Sequence, residues 1–111
     1  MKGVYPMKPF TTLIALLAFG LFFTGICQAH TPLFSCYDNG DGSITCEGGF
    51  SDGSSAAGVA VRVVDKDGKV LMEDKLDEFS EYTVEKPSHE FTVIFDAGDG
   101  HLIKVPGKEI F

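Results

Sequence analysis

Three histidines, His30, His89 and His101, are the side chains best suited to chemistry in this sequence. His30 directly follows the small residue Ala29. A backbone cut between the two would leave His30 with a free α-amine beside its imidazole. Amine nitrogen and ring Nδ1 can grip one ion together, a bidentate arrangement that suits Cu²⁺ or Ni²⁺, which favour nitrogen donors. An α-amine titrates at about 7.7–8.0 and imidazole at about 6.5, so neither proton is hard to displace at neutral pH. Two nitrogens leave the site incomplete. His101, which follows Gly98-Asp99-Gly100, is the expected third donor, with Asp99, Asp96 or Asp52 as an additional oxygen ligand. His89, in KPSHE, reads as a solvated loop residue. The competing reading of His30 and His101 is that neither meets a partner.

Other motifs point away from chemistry. DNGDGS at 38–43 resembles a calcium loop, but such a loop needs oxygen ligands at positions 1, 3 and 5 and a Glu at 12. Counting from Asp38, positions 3 and 5 are Gly40 and Gly42, so the stretch reads as a hairpin turn. No G-x-S-x-G, H-E-x-x-H or Cys–His pairing is present, and no enzyme is expected. A copper enzyme built on an N-terminal histidine is set aside because the chain beyond residue 29 leaves little room for a substrate face.

The cut that would expose His30 is the one the preceding residues predict. Lys2 and Lys8 precede an apolar run at 10–26, FTTLIALLAFGLFFTGI, and Cys27 and Ala29 stand at −3 and −1 of a cleavage after Ala29. That order is the secretory pattern, so residues 1–29 are expected to be a signal peptide. The alternative is an uncleaved anchor, for which the run is slightly short of the roughly 20 residues a span needs. A lipoprotein at Cys27 fits less well because bulky Ile26 precedes it.

The 82 residues from His30 to Phe111 then form one small domain with a thin core. They hold all 16 acidic residues and seven of the nine basic ones, a net charge of −9. Such a surface repels nucleic acid and anionic lipid and concentrates cations. The expected location is the periplasm or the outer face of the cytoplasmic membrane, with membrane contact only through the leader if it is retained. Cys36 and Cys46 remain as an even pair, and export favours a disulfide between them. A two-cysteine zinc site is the weaker reading, because the spacing is not a standard one.

The elements that must position these residues are strands. Period-2 segments separated by turn signals every eight to twelve residues predict an all-β Greek-key sandwich. Strands are expected near 32–37, 43–50, 58–65, 69–76, 80–85, 90–96 and 101–105. Between them lie DNGDG, SDGSSAAG, DKDG, KPS and AGDG, whose Asp-Gly and Asn-Gly pairs supply the positive φ of tight hairpins. Val59, Val61 and Val63 should form one inward row, and Phe91, Val93 and Phe95 a second. LMEDKLDEFSEY is the one contender for helix, and the hairpin signal before it argues for strand. Pairing of the first two strands across DNGDG sets Cys36 opposite Cys46, as a non-hydrogen-bonded pair if the sulfurs are to meet. The second strand should return Asp52 to the His30 end. If first and last strands run parallel at the edges, His101, Asp96 and Asp99 reach that same end and His89 the opposite one.

A post-signal "AH", then "GGFSDGSSAAGVAVRVVDKDGKVL" and "EFTVIFDAGDGH" resemble the small exported accessory proteins of nickel and cobalt uptake systems of the energy-coupling-factor type. The likeness runs over most of residues 29–104 and implies a carboxypeptidase-regulatory or transthyretin-like β-sandwich. The middle stretch belongs to the wider domain class; "AH" and "DAGDGH" tie the likeness to metal, at His30 and His101. It implies nickel or cobalt capture and handover to membrane transporter subunits. Members can carry a C-terminal membrane helix, and no such apolar run lies between residue 30 and Phe111. Phe79 and Ser80 stand where the usual D-E-x-G-x-F turn has glycine. The function expected on the alternative reading is a structural or protein-interaction sandwich with no metal role, binding a partner through an exposed edge strand.

Overall fold

The computed structural model describes residues 31–111; the leader and His30 lie outside the described residues. Seven strands follow in order: β1 (Pro32–Asp38), β2 (Ser43–Phe50), β3 (Ala60–Asp65), β4 (Val70–Lys75), β5 (Glu81–Glu85), β6 (Phe91–Asp96) and β7 (Leu102–Pro106). A 3₁₀ turn at Gly107–Glu109 follows β7. The strands form two antiparallel sheets, β1-β2-β5 and β4-β3-β6-β7. The all-β sandwich expected from periodicity is therefore what these residues build. LMEDKLDEFSEY, with its helical look, divides into β4, a turn and β5.

Local chemistry decides which strands share a sheet. In the β3–β4 connection, Asp65 N–H donates to the Lys69 carbonyl at 2.9 Å and Gly68 N–H to the Asp65 carbonyl at 3.1 Å. The Asp65 carboxylate accepts the N–H groups of Asp67 and Lys69, each at 2.9 Å. That short link cannot change sheets, so β4 stays beside β3. The split is three strands plus four, not the four plus three of immunoglobulin constant domains. The longer links at 51–59, 76–80 and 86–90 make the crossings between sheets.

The inward rows supply the core. Val61, Val63, Phe91, Val93 and Phe95 are buried, with Val59 partly buried against them. Ile44, Cys46 and Tyr82 meet them from the other sheet. Full burial of one such aliphatic or aromatic side chain contributes about 1.5–3 kcal/mol, which matters in a domain this small.

Cys36 and Cys46 are bonded and stand directly opposite each other in the β1–β2 register, with Cα atoms 4.0 Å apart. That separation belongs to the close, non-hydrogen-bonded kind of antiparallel pair. A one-residue slip would turn the sulfurs to opposite faces, so the bond also locks the register. A disulfide in a small β domain is compatible with folding outside the reducing cytosol. Among the described residues no helix is long and apolar enough to cross a membrane.

Strand directions sort the turns into two groups. The links 51–59, 76–80 and 97–101 gather at the end where Thr31 leads into β1. The links 39–42, 66–69 and 86–90 gather at the other end, where Asp38 N–H donates to the Phe111 carbonyl at 2.9 Å.

Candidate functional site

The Thr31 end carries the expected donors that the structure describes. In the β6–β7 turn, Ala97 N–H donates to the His101 carbonyl at 3.0 Å and His101 N–H to the Gly98 carbonyl at 2.8 Å. Asp99 and Gly100, the central residues, have φ of 50° and 79°. Positive φ at both centres is the sign pattern of a type I′ turn, the form whose twist suits a hairpin, and Asp-Gly is a favoured sequence for it. The turn holds Asp99 at its tip and half-buried His101 at the start of β7. No described residue hydrogen-bonds the Asp99 carboxylate or the His101 ring.

Asp96 is differently placed. One carboxylate oxygen accepts Gly98 N–H at 3.0 Å and the other meets the Arg62 guanidinium at 3.0 Å. The Gly98 N–H first, and Arg62 second, hold its carboxyl below the usual aspartate range. A cation bound by Asp96 would compete with a guanidinium already in place, whereas Asp99 carries no such neighbour.

On the neighbouring sheet the ladder continues one residue past β1. Thr31 N–H donates to Ser51 Oγ at 3.1 Å, and Ser51 N–H donates to the Thr31 carbonyl at 2.9 Å. The chain therefore enters the domain at a fixed point beside the 51–59 loop. Asp52 follows at once, its carboxylate accepting from Ser54 N–H at 3.0 Å and from the Ser54 hydroxyl at 2.6 Å. β1 and β7 both run away from this end, so His101 and the Thr31 entry point share it, and His89 lies at the opposite end.

Charge separates the two ends as well. The near-end links hold Asp52, Asp77, Glu78 and Asp99, and neither lysine nor arginine. The far-end segments balance Asp41, Asp67, Glu90 and Glu109 against Lys66, Lys69, Lys86 and Lys108. The domain's negative potential is thus weighted towards the turn that bears His101. Among the described residues, no group of three or more His, Cys, Asp and Glu converges as a metal ion would require.

Two features of this end had little signal in the chain. Arg62 and Asp96 meet because Asp96 lies two residues beyond Ile94, the register partner of Arg62, a diagonal that only the β3–β6 pairing defines. Ser80 adopts φ 63°, the left-handed region that favours glycine. Its hydroxyl lies 3.0 Å from Ser55 Oγ and accepts Ala56 N–H at 3.0 Å, while its carbonyl accepts Gly48 N–H at 2.9 Å. The serine there ties the β4–β5 turn to the 51–59 loop.

Comparison of the chain with protein-family models, with curated proteins and with solved structures finds no match.

Proposed function

We propose that this chain is an exported accessory protein that captures a divalent transition metal, nickel or cobalt, in the periplasm or on the outer face of the cytoplasmic membrane, and hands it to transporter subunits. The reading is non-enzymatic, and the metal is cargo. The observation that carries it is the placement of His101 and Asp99 at the end where Thr31 enters β1. With the leader removed, the His30 amine and ring would supply two nitrogens and His101 a third, with Asp99 the least encumbered oxygen donor. Three nitrogens and a carboxylate suit nickel or cobalt, and copper would compete for the same set. An end without lysine or arginine in its links favours cation approach.

Calorimetric titration of the exported product with Ni²⁺, Co²⁺ and Cu²⁺ tests the assignment. Replacement of His30 or His101 by alanine should each weaken binding by about tenfold or more, or about 1.4 kcal/mol. Binding should also weaken as pH falls, because protons compete for the same nitrogens. Wild-type affinity in both variants would remove the site, and intact mass of the exported product establishes whether His30 is its first residue.

A further inference from the structure

We propose that a notch beside β2, flanked by Leu33 and Phe79, is a docking site for a protein segment that pairs a large apolar side chain with lysine or arginine. The inference is independent of metal binding. β2 continues three residues beyond Glu47, the last residue it pairs with β5, so Gly48–Phe50 have no partner strand on that side. Gly48 N–H is taken up there by the Ser80 carbonyl, and the Phe50 carbonyl accepts Gly53 N–H at 2.9 Å. The result is a groove of about 640 Å³ whose lining includes Leu33, Glu47, Gly49, Ser54 and Phe79.

Three observations make it a recognition surface. Phe79 is 73% exposed and Leu33 52%, an unusual investment of apolar surface on two walls of one depression. The backbone at Phe79 is also braced. The Asp77 carboxylate accepts Phe79 N–H at 2.8 Å and Glu81 N–H at 3.0 Å, and the next residue is the left-handed Ser80 with its ties to the 51–59 loop. An aromatic on a braced turn can be covered at little cost in backbone freedom, which favours a binding hot spot. At the floor, a side chain at Gly49 would meet nothing within 4 Å, so the groove is open down to the β2 backbone.

Charge selects the occupant. Glu47 lines the groove, Asp77, Glu78 and Glu81 adjoin Phe79 in sequence, and none of the lining residues is lysine or arginine. A second copy of the chain would bring these carboxylates against their own kind, whereas a cationic, apolar segment complements them.

A random peptide library selected on the immobilised chain, with counter-selection on Phe79→Ser, tests the proposal. Enriched peptides should combine Leu, Phe or Trp with Lys or Arg. A representative synthetic peptide should lose about tenfold or more in affinity for Phe79→Ser and for Gly49→Phe, whose added ring fills the floor. Gly49→Phe changes a surface position with open space above it, and an unchanged thermal melt verifies that it folds. No enrichment over Phe79→Ser, equal binding to all three proteins, or undiminished binding after Lys and Arg in the peptide become Gln would each overturn the assignment. Gel filtration of wild type as a dimer and of Phe79→Ser as a monomer would also overturn it, by making the occupant a second copy.

Discussion

Phe34 of β1 stacks on Phe95 of β6 across the interior, with ring centroids 4.9 Å apart and planes 27° from parallel. The pair joins edge strand β1 of one sheet to β6 of the other. Phe95 is fully buried and also lies 6.3 Å from the Phe50 ring, so its removal leaves a void lined by both sheets. Phe95→Ala is expected to cost about 3–5 kcal/mol. Urea unfolding followed by far-ultraviolet circular dichroism measures it, and a loss below about 1 kcal/mol would contradict this account of the core.

Gly48 sits inside that same cluster. A Cβ there would stand 2.6 Å from Leu76 Cδ1 and 2.8 Å from Phe95 Cε2. Gly48→Ala should therefore destabilise by about 1–3 kcal/mol through overpacking. Gly49→Ala, one residue on and facing open space, should stay within about 0.5 kcal/mol of wild type. Comparison of the two melts isolates packing from the general effect of replacing a strand glycine.

The Cys36–Cys46 bond closes a short loop and locks the hairpin register. Replacement of both cysteines by serine is expected to lower stability by about 3 kcal/mol in the chain-entropy model. Cys46 is fully buried, so an unpaired hydroxyl there adds to the loss. Equal melts for the wild type with and without reductant, at verified reduction, would show that the bond contributes nothing.

Ser80 combines backbone strain with hydrogen bonds that only a hydroxyl can make. Ser80→Ala keeps φ near 63° and loses the links to Ser55 and Ala56, so about 1–2 kcal/mol should be lost. Ser80→Gly loses the same links but relieves the backbone, and should lie between alanine and wild type. An alanine variant more stable than the glycine variant would reverse the proposed balance.

Acid and alkali should act on different residues. Asp38 is held below the ordinary aspartate value of 3.8 by the Lys86 ammonium and the Gly40 N–H, and Asp41 by the Ser43 hydroxyl and N–H. Asp96 is lowered in the same way by Gly98 and Arg62. Depressed folded values mean stability that is present above 3.8 and is lost as pH falls through them. Tyr82 moves upward from 10.0, first through burial and then through Asp74, so the unfolded chain ionises first and stability falls as pH rises beyond 10.0. Melting temperature should be level between these limits and drop on either side. Tyr82→Phe should soften the alkaline decline.

Strand positions were legible because alternation and turn chemistry agree: FTVIFD buries every second residue, VAVRVVD does so up to Val63, and Asp-Gly pairs mark the links after β1, β2, β3 and β6. The disulfide followed from the same reasoning, since DNGDG places Cys36 opposite Cys46 in only one register. Relations across the sheet were not legible. Arg62 is 34 residues from Asp96, and nothing local to either residue announces the ion pair. The notch at Phe79 depends on β5 starting late relative to the end of β2, a mismatch of strand lengths that periodicity does not encode. Among the proposed ligands, Asp99 and His101 were readable as neighbours through a tight turn, while their distance from the Thr31 entry point rests on how two sheets stack.

The reciprocal bonds between Thr31 and Ser51, and the bond from Asp38 to the Phe111 carbonyl, fasten the two flanks of the domain at opposite poles. Attachment through the N-terminal flank therefore turns the His101 pole towards whatever support holds it. Attachment beyond Phe111 presents that pole outward. Immobilising the protein by one flank or the other is thus a choice of which pole solutes can reach first, and surface-binding measurements made in both orientations should differ for any ligand that engages only one of them.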